Sequence, residues 1–196
     1  MHNDVLKGKF HAHITVREST ARTWIVPKGW KTTIIVLNRE NRSQKDLMIT
    51  RHFMLGSEKT PDMVSIMDEM ELATQDMSAQ GYDILRAKLE HESLPTLAPA
   101  HDTYREAHVK IQVPTGVLLQ TVPDYVMSSN PMVSYPEYKV LFLNARYYEG
   151  TTEEVDRHVD YSVAMIKQAN PQCTVMEVKK ETTVFDTNHN LDKWWA

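Results

Sequence analysis

The chain has one cysteine, Cys173, among its 196 residues. No intrachain disulfide and no cysteine-based zinc site can form. Glycine is scarce, at six residues, and no G-x-x-x-x-G-K-[ST], G-x-G-x-x-G or G-x-S-x-G pattern occurs. A glycine-rich phosphate cradle and a nucleophile elbow are thereby excluded. No run approaches the roughly 18 apolar residues of a bilayer-spanning helix, and the first residues, MHNDVLKGKF, hold no apolar signal core. A dominant charge is missing too: 22 Lys and Arg stand against 26 Asp and Glu, a net charge of −4. That balance excludes a general nucleic-acid coat protein. These absences predict a cytoplasmic protein without a membrane span. What is present is ordinary globular composition, 41% hydrophobic and 24% charged. The length suits one domain, or two small halves sharing a core.

Two segments have helical periodicity. Residues 62–80 place Met63, Ile66, Met67, Met70, Ala73 and Met77 on one face, with Gly81 as a stop. Residues 151–169 place Val155, Val159, Val163 and Ile166 on one face, and Thr151 with Glu154 has capping-box spacing. Eight segments alternate like strands: 9–16, 32–37, 47–55, 82–92, 105–113, 116–122, 138–148 and 175–185. Residues 17–31, 94–103 and 123–137 read as long loops, and loops of such length are often lids or binding loops.

The order contains a repeat. Arg51 and Gly56 precede the first helix, and Arg146 and Gly150 precede the second. The strand after each helix carries Lys-x-Glu, as Lys88 and Glu90, then Lys179 and Glu181. Glu106-Ala-His108-Val-Lys110 echoes His11-Ala-His13-Ile-Thr15. These matches predict an α+β fold in a single bilobal domain, 1–196. It would have two pseudo-symmetric halves, each an antiparallel sheet covered by one long helix. Half one would be about 47–122. Half two would be about 138–196, completed by the N-terminal strands 9–37, so that the repeat is circularly offset.

Strand parity singles out the candidate site, because successive residues face opposite sides of a sheet. Phe10, Ala12, Ile14 and Val16 share one face, and His11, His13 and Thr15 the other. Ala107, Val109, Ile111 and Val113 oppose Glu106, His108 and Lys110. Leu85, Ala87 and Leu89 oppose Arg86, Lys88 and Glu90, and Glu177, Lys179 and Glu181 share a face. Apolar faces should pack on the helices. If the polar faces turn toward each other, they enclose a charged cleft; otherwise they form a solvated sheet surface.

The tetrapeptides His13-Ile-Thr15-Val and His108-Val-Lys110-Ile resemble the paired motifs of the two-histidine phosphoesterases. That superfamily has two related lobes, each with a strand bearing His, any residue, Ser or Thr, then a hydrophobic residue. The resemblance implies a metal-independent enzyme, without cofactor, acting on a nucleotide or cyclic phosphate. His13 and His108 would be general base and acid, and Thr15 and Lys110 would hold the phosphate oxygens. Lys110 departs from the family's Ser or Thr. Histidine suits both roles near neutrality. Arg51, Arg146, Lys88 and Lys179 could add positive charge to a small anionic ligand, and Glu90 or Glu181 could orient a histidine. The same Lys-x-Glu pairs also suit ordinary cross-strand ion pairing.

Two other classes use the same atoms. His11, His13, Glu106 and His108 could converge on zinc, iron or manganese, and the element count resembles a circularly permuted vicinal-oxygen-chelate protein. Alternatively, the cleft could bind an anionic ligand without catalysis. In the tail, Asp186, Asn188, Asn190 and Asp192 approach a calcium-loop spacing, but the required glutamate is missing. The tail reads instead as an arm anchored by Trp194 or Trp195.

Overall fold

A computed structural model describes residues 8–17, 25–39, 42–59, 62–92, 103–131, 133, 135–189 and 191. Trp194 and Trp195, residues 18–24 of the expected loop 17–31 and residues 94–102 of the expected loop 94–103 lie outside these residues. In chain order the elements are β1 (Gly8–Val16), β2 (Lys31–Arg39), β3 (Arg42–Leu55), α1 (Met63–Ala79), β4 (Ile84–Glu92), β5 (Tyr104–Pro114), β6 (Val126–Ser129), β7 (Tyr138–Tyr147), α2 (Thr152–Ala169) and β8 (Thr174–Asp186).

Both helices form where periodicity and caps agree. Asp62 accepts a hydrogen bond from the Ser65 backbone N–H at 2.8 Å to start α1, which buries Ile66, Met70, Ala73 and Met77. Thr151 and Glu154 close a reciprocal capping box on α2, which buries Val155, Val159 and Ile166. Among the described residues, no helix is long and apolar enough to cross a membrane.

The eight strands close into one antiparallel barrel in the order β1-β3-β2-β6-β7-β5-β8-β4. This overturns the expected pair of separate sheets each covered by a helix. β4 pairs with β8 over five residue pairs, and β2 with β6 over two, so the hydrogen-bonded ladder runs on across both boundaries between the halves. Closure satisfies the strand edges that two open sheets would leave exposed. The circular offset is overturned as well. β1 pairs with β3 and β4, in its own half, and β5 takes the equivalent place between β7 and β8. The chain is a direct tandem of two strand-strand-strand-helix-strand units, with neighbour orders β4-β1-β3-β2 and β8-β5-β7-β6.

Two strand assignments also change. Residues 116–122 form no strand, despite their alternation. Gly116 turns the chain with φ 86°, and the main chain of Gln120 is held by the Asn170 side chain at both N–H (2.7 Å) and C=O (2.9 Å). The strand that closes the barrel is β6, inside the segment 123–137 expected to be a loop.

The apolar faces point outward. Phe10, Ile14, Ile49 and Leu89 join the buried side of α1 in one core; Val109, Ile111 and Leu143 join Ile166 of α2 in another, with Ala107, Val155 and Val159 beside it. Each large apolar side chain so buried stabilises the fold by about 1.5–3 kcal/mol. A slip of one residue would expel all of them and put the histidines under the helices, so these cores decide which face lines the interior.

Candidate functional site

The interior is a cavity of about 280 Å³. β1 contributes His11, His13 and Thr15; β4 Arg86, Lys88 and Glu90; β5 Glu106 and His108; β7 Phe142, Asn144 and Arg146; β8 Lys179 and Glu181. Thr33 and Ile35 of β2, Met48 and His52 of β3, and Ser128 and Ser129 of β6 complete the wall with Asn130 and Leu191. The charged groups cluster on the β1-β4-β8-β5 arc. The opposite arc carries neutral and apolar side chains, apart from Arg146 and His52.

The two motif histidines occupy equivalent registers. His13 stands opposite Thr50 on β3 and Lys88 on β4. His108 stands opposite Asn144 on β7 and Lys179 on β8. Each ring is held at both nitrogens. His13 has Nδ1 3.0 Å from Thr50 Oγ1 and Nε2 2.9 Å from Glu90 Oε2. His108 has Nδ1 2.8 Å from Asn144 Oδ1, and Nε2 3.3 Å from Glu106 Oε2 and 3.6 Å from Glu181 Oε2. The Asn144 amide is oriented by its own bonds, since its Nδ2 donates to the Val126 carbonyl and to Ser128 Oγ. Both nitrogens of His108 therefore face acceptors only, which requires an imidazolium. Burial opposes that charge, but the hydrogen bond to Glu106 and the charges of Glu106, Glu181 and Glu90 prevail, pushing its pKa up to about 9. At His13 the Thr50 hydroxyl can donate, so the geometry there sets no such requirement.

The remaining charges are tightly answered. Lys88 Nζ donates to Glu106 Oε2 at 2.8 Å and also contacts Glu90. Arg146 Nε donates to Glu106 Oε1 at 2.6 Å. Burial would raise the Glu106 pKa, but Arg146, Lys88 and His108 hold it well below the usual carboxylate range. Burial opposes the Lys88 charge, and Glu106 with Glu90 keeps its pKa raised. Glu181 is likewise lowered against burial, by His11, His108 and Lys179. His11 Nδ1 lies 2.6 Å from both Glu181 Oε1 and Lys179 Nζ, and its Nε2 is 3.1 Å from Glu92 Oε1. At one end of the barrel Arg86 Nε donates to Asp186 Oδ1 at 2.8 Å, and Tyr104 donates to Asp186 Oδ2 at 2.7 Å. Beyond β8, Thr187 and Asn188 bond to the β4 backbone at Ala87 and Leu85, and this turn carries Leu191 to the cavity wall. Asp186 thus serves as a clamp on Arg86.

At the opposite end of the barrel Gly8 pairs with Leu55. His52 is exposed there while lining the cavity. Its ring lies 4.3 Å from that of His11, tilted by 38°. Among the described residues neither of its nitrogens has a hydrogen-bond partner. Partial burial lowers its pKa, and the nearby His11, Lys179, His13 and Lys31 lower it further. The neutral form of His52 is thereby favoured.

Of the residues singled out by sequence, His11, His13, Thr15, Lys88, Glu90, Glu106, His108, Arg146, Lys179 and Glu181 all line this one cavity. Lys110 shares their parity but is not part of the wall; it lies farther along β5, between Phe142 and Glu177. Arg51 faces outward, where it pairs with Glu69 of α1, donates to the Lys28 carbonyl at 3.2 Å and lies 5.1 Å over the Phe53 ring. The residue equivalent to Arg146 is His52, its neighbour. Parity could have found it, because Met48, Thr50 and His52 alternate against Leu47, Ile49 and Phe53. The charge on Arg51 interrupted the apolar face and hid the pattern.

The four candidate metal ligands do not converge. His11 turns to Glu181 and Glu92, and His13 to Thr50 and Glu90. Among the described residues, the ligand-type group that does gather is Glu90, Glu106 and His108. The Lys88 ammonium already sits against both of those carboxylates, and the imidazolium of His108 offers no lone pair. These residues as arranged do not fit a cation.

No family model, no curated protein and no solved structure matches this chain.

Proposed function

We propose that the barrel is a binding chamber for one small organic anion with an apolar part. The observation that carries this reading is the charged cavity itself. An eight-stranded barrel of this size can be filled by side chains, and apolar filling is commonly as stable as buried ion pairs. Here the interior stays hollow and ionised. Four permanent cations line it (Arg86, Lys88, Arg146 and Lys179), against three carboxylates (Glu90, Glu106 and Glu181). Asp186 neutralises Arg86, Glu92 at the mouth is set against Lys9 outside the wall, and the His108 imidazolium leaves an excess of one positive charge. A monoanionic group matches that excess. Ile35, Met48, Phe142 and Leu191 offer its remainder an apolar surface. The cavity lies at the lower edge of the roughly 300–1,000 Å³ usual for ligand pockets, so oligonucleotides do not fit. Cytoplasmic residence, expected from the single cysteine, is part of the same proposal.

Thermal and chemical stability against a panel of small carboxylates, phosphomonoesters and cyclic nucleotides tests it. A ligand at 100 times its Kd should stabilise the fold by about 2.7 kcal/mol. Phe142→Trp, which narrows the chamber without filling it, should weaken the effect. No stabilisation by any compound, or equal stabilisation of Phe142→Trp, would sink the reading.

The two-histidine phosphoester reading has one observation in its favour: His13 and His108 line the same cavity at equivalent registers. Against it, all four of their ring nitrogens are engaged by protein groups, and Lys110 and Arg51 stand outside the wall. Cleavage of a 2′,3′-cyclic or 3′,5′-cyclic nucleotide that survives EDTA and is lost in His13→Ala would restore it.

A further inference from the structure

The chamber wall is nearly twofold in register but not in chemistry, and the difference distinguishes its two ends. At the Asp186 end Arg146, Arg86, Lys88 and Tyr104 are buried among Glu106, Glu90 and Asp186. Their charges are answered by carboxylates that touch them. At the other end the equivalents of Arg146 and Lys88 are His52 and Lys179. His52 is exposed and makes no hydrogen bond among the described residues. The Lys179 side chain pairs with Glu181 Oε1 at 2.9 Å but is 30% exposed, the least buried of the four permanent cations of the wall. Lys9 and Lys31 stand on β1 and β2 at the same end. The groups facing His52 are His11 and His13 from β1, Lys179 from β8 and Lys31 from β2. Glu92 of β4 is drawn off by His11 at 3.1 Å, and by Lys9 and Lys179 at 3.8 Å each.

We propose that this mouth is the anion-recognition subsite of the chamber: a carboxylate docks between His52 and Lys179, and the apolar remainder of the ligand extends inward toward Met48 and Phe142. The inference rests on the chamber reading and goes further in assigning the ligand's orientation and the residues that read its charge. An anion here gains the one wall imidazole, among the described residues, whose N–H is uncommitted, and it shares with Glu181 (2.9 Å) and Glu92 (3.8 Å) an ammonium that water already reaches. At the Asp186 end it would have to compete with Glu106 or Asp186 for a buried arginine, at a much larger desolvation cost. His52 and Met48 share one face of β3 four residues apart, about 13 Å at strand rise. A ligand with a short spacer between carboxylate and apolar group suits that separation.

The test uses the full chain and three probes of one shape: 3-phenylpropanoate, 3-phenylpropanamide and 3-phenylpropan-1-ol. NMR follows the His52 imidazole through a pH titration, and separately the Met48 methyl and Phe142 ring signals. The propanoate should shift Met48 and Phe142, bind at least tenfold more tightly than the amide or alcohol, and raise the His52 titration midpoint by 1 or more, as an opposite charge within about 4–6 Å does. His52→Asn, at an exposed position, and Lys179→Met should each weaken propanoate about tenfold and leave the amide unchanged. If Met48 and Phe142 respond to all three probes equally and His52 does not move, the mouth subsite is wrong and the chamber stands. A shift at His52 without one at Met48 and Phe142 would place the anion on the outer surface and overturn the inference. If no signal responds to any of the three probes, this inference falls, and the stability panel decides the chamber reading separately.

Discussion

The His108 imidazolium is the feature of this chamber most open to measurement. In the folded chain both its nitrogens face acceptors and its pKa is about 9; in the unfolded chain it should titrate near 6.5. A proton held more tightly by the folded state stabilises it at low pH. The contribution is fully present below about pH 6.5, declines as pH rises, and is gone above about pH 9. At 1.36 kcal/mol per pH unit, the interval between the two values amounts to about 3 kcal/mol. Urea unfolding of the native chain and of His108→Gln, each followed from pH 6 to pH 10, isolates this term. The glutamine variant should be less stable throughout, because Glu106 and Glu181 lose a partner. Its deficit relative to the native chain should shrink by about 3 kcal/mol across the window, while other titrations cancel in the difference. In parallel the His108 ring carbons should titrate near pH 9. A deficit that stays flat with pH, or a ring midpoint at or below 7, would refute the assignment of a buried imidazolium.

Asn144→Thr should lower the His108 midpoint, because a hydroxyl can donate to Nδ1 as Thr50 can to His13; an unchanged midpoint, read by the same NMR titration, would mean that the carboxylates alone hold the proton. Glu106→Gln takes the carboxylate charge from Arg146 and leaves Lys88 with Glu90 alone, and should cost about 3–5 kcal/mol, seen as a Tm lowered by about 10 °C; a change under 1 kcal/mol would contradict the buried network. Hydrogen exchange followed by mass spectrometry should find the amides of β6 (Val126–Ser129) exchanging well before those of β5, since β6 is the shortest strand and its seam with β2 has two residue pairs. Equal protection of the two strands would argue against an opening at that seam.

The sequence by itself determined the local features. Met and Ile at helical spacing, with Asp62 and the Thr151–Glu154 box at the starts, specified both helices, because capping and amphipathic periodicity act within a few residues. Alternation in β1, β4 and β5 specified which side chains share a face, and so separated His11, His13, Lys88 and Glu106 from the apolar set. Closure of the barrel was not legible there. The pairing of Val36 with Ser129, or of Lys88 with Asp186, joins residues about ninety or more positions apart, and alternation says which face a residue takes but not which strand lies beside it. The order of the repeat failed for the same reason: His13 with His108 and Lys88 with Lys179 fit a direct tandem as well as an offset one, and only the position of β1 between β3 and β4 decides. Parity put His52 on the face of Met48 and Thr50, but only the tertiary structure explained the charge of Arg51 on the opposite face, which Glu69 of α1 answers. Tertiary structure alone gave His108 and His13 different environments, because what a histidine holds depends on the strand across from it: an asparagine oxygen in one half, a threonine hydroxyl in the other.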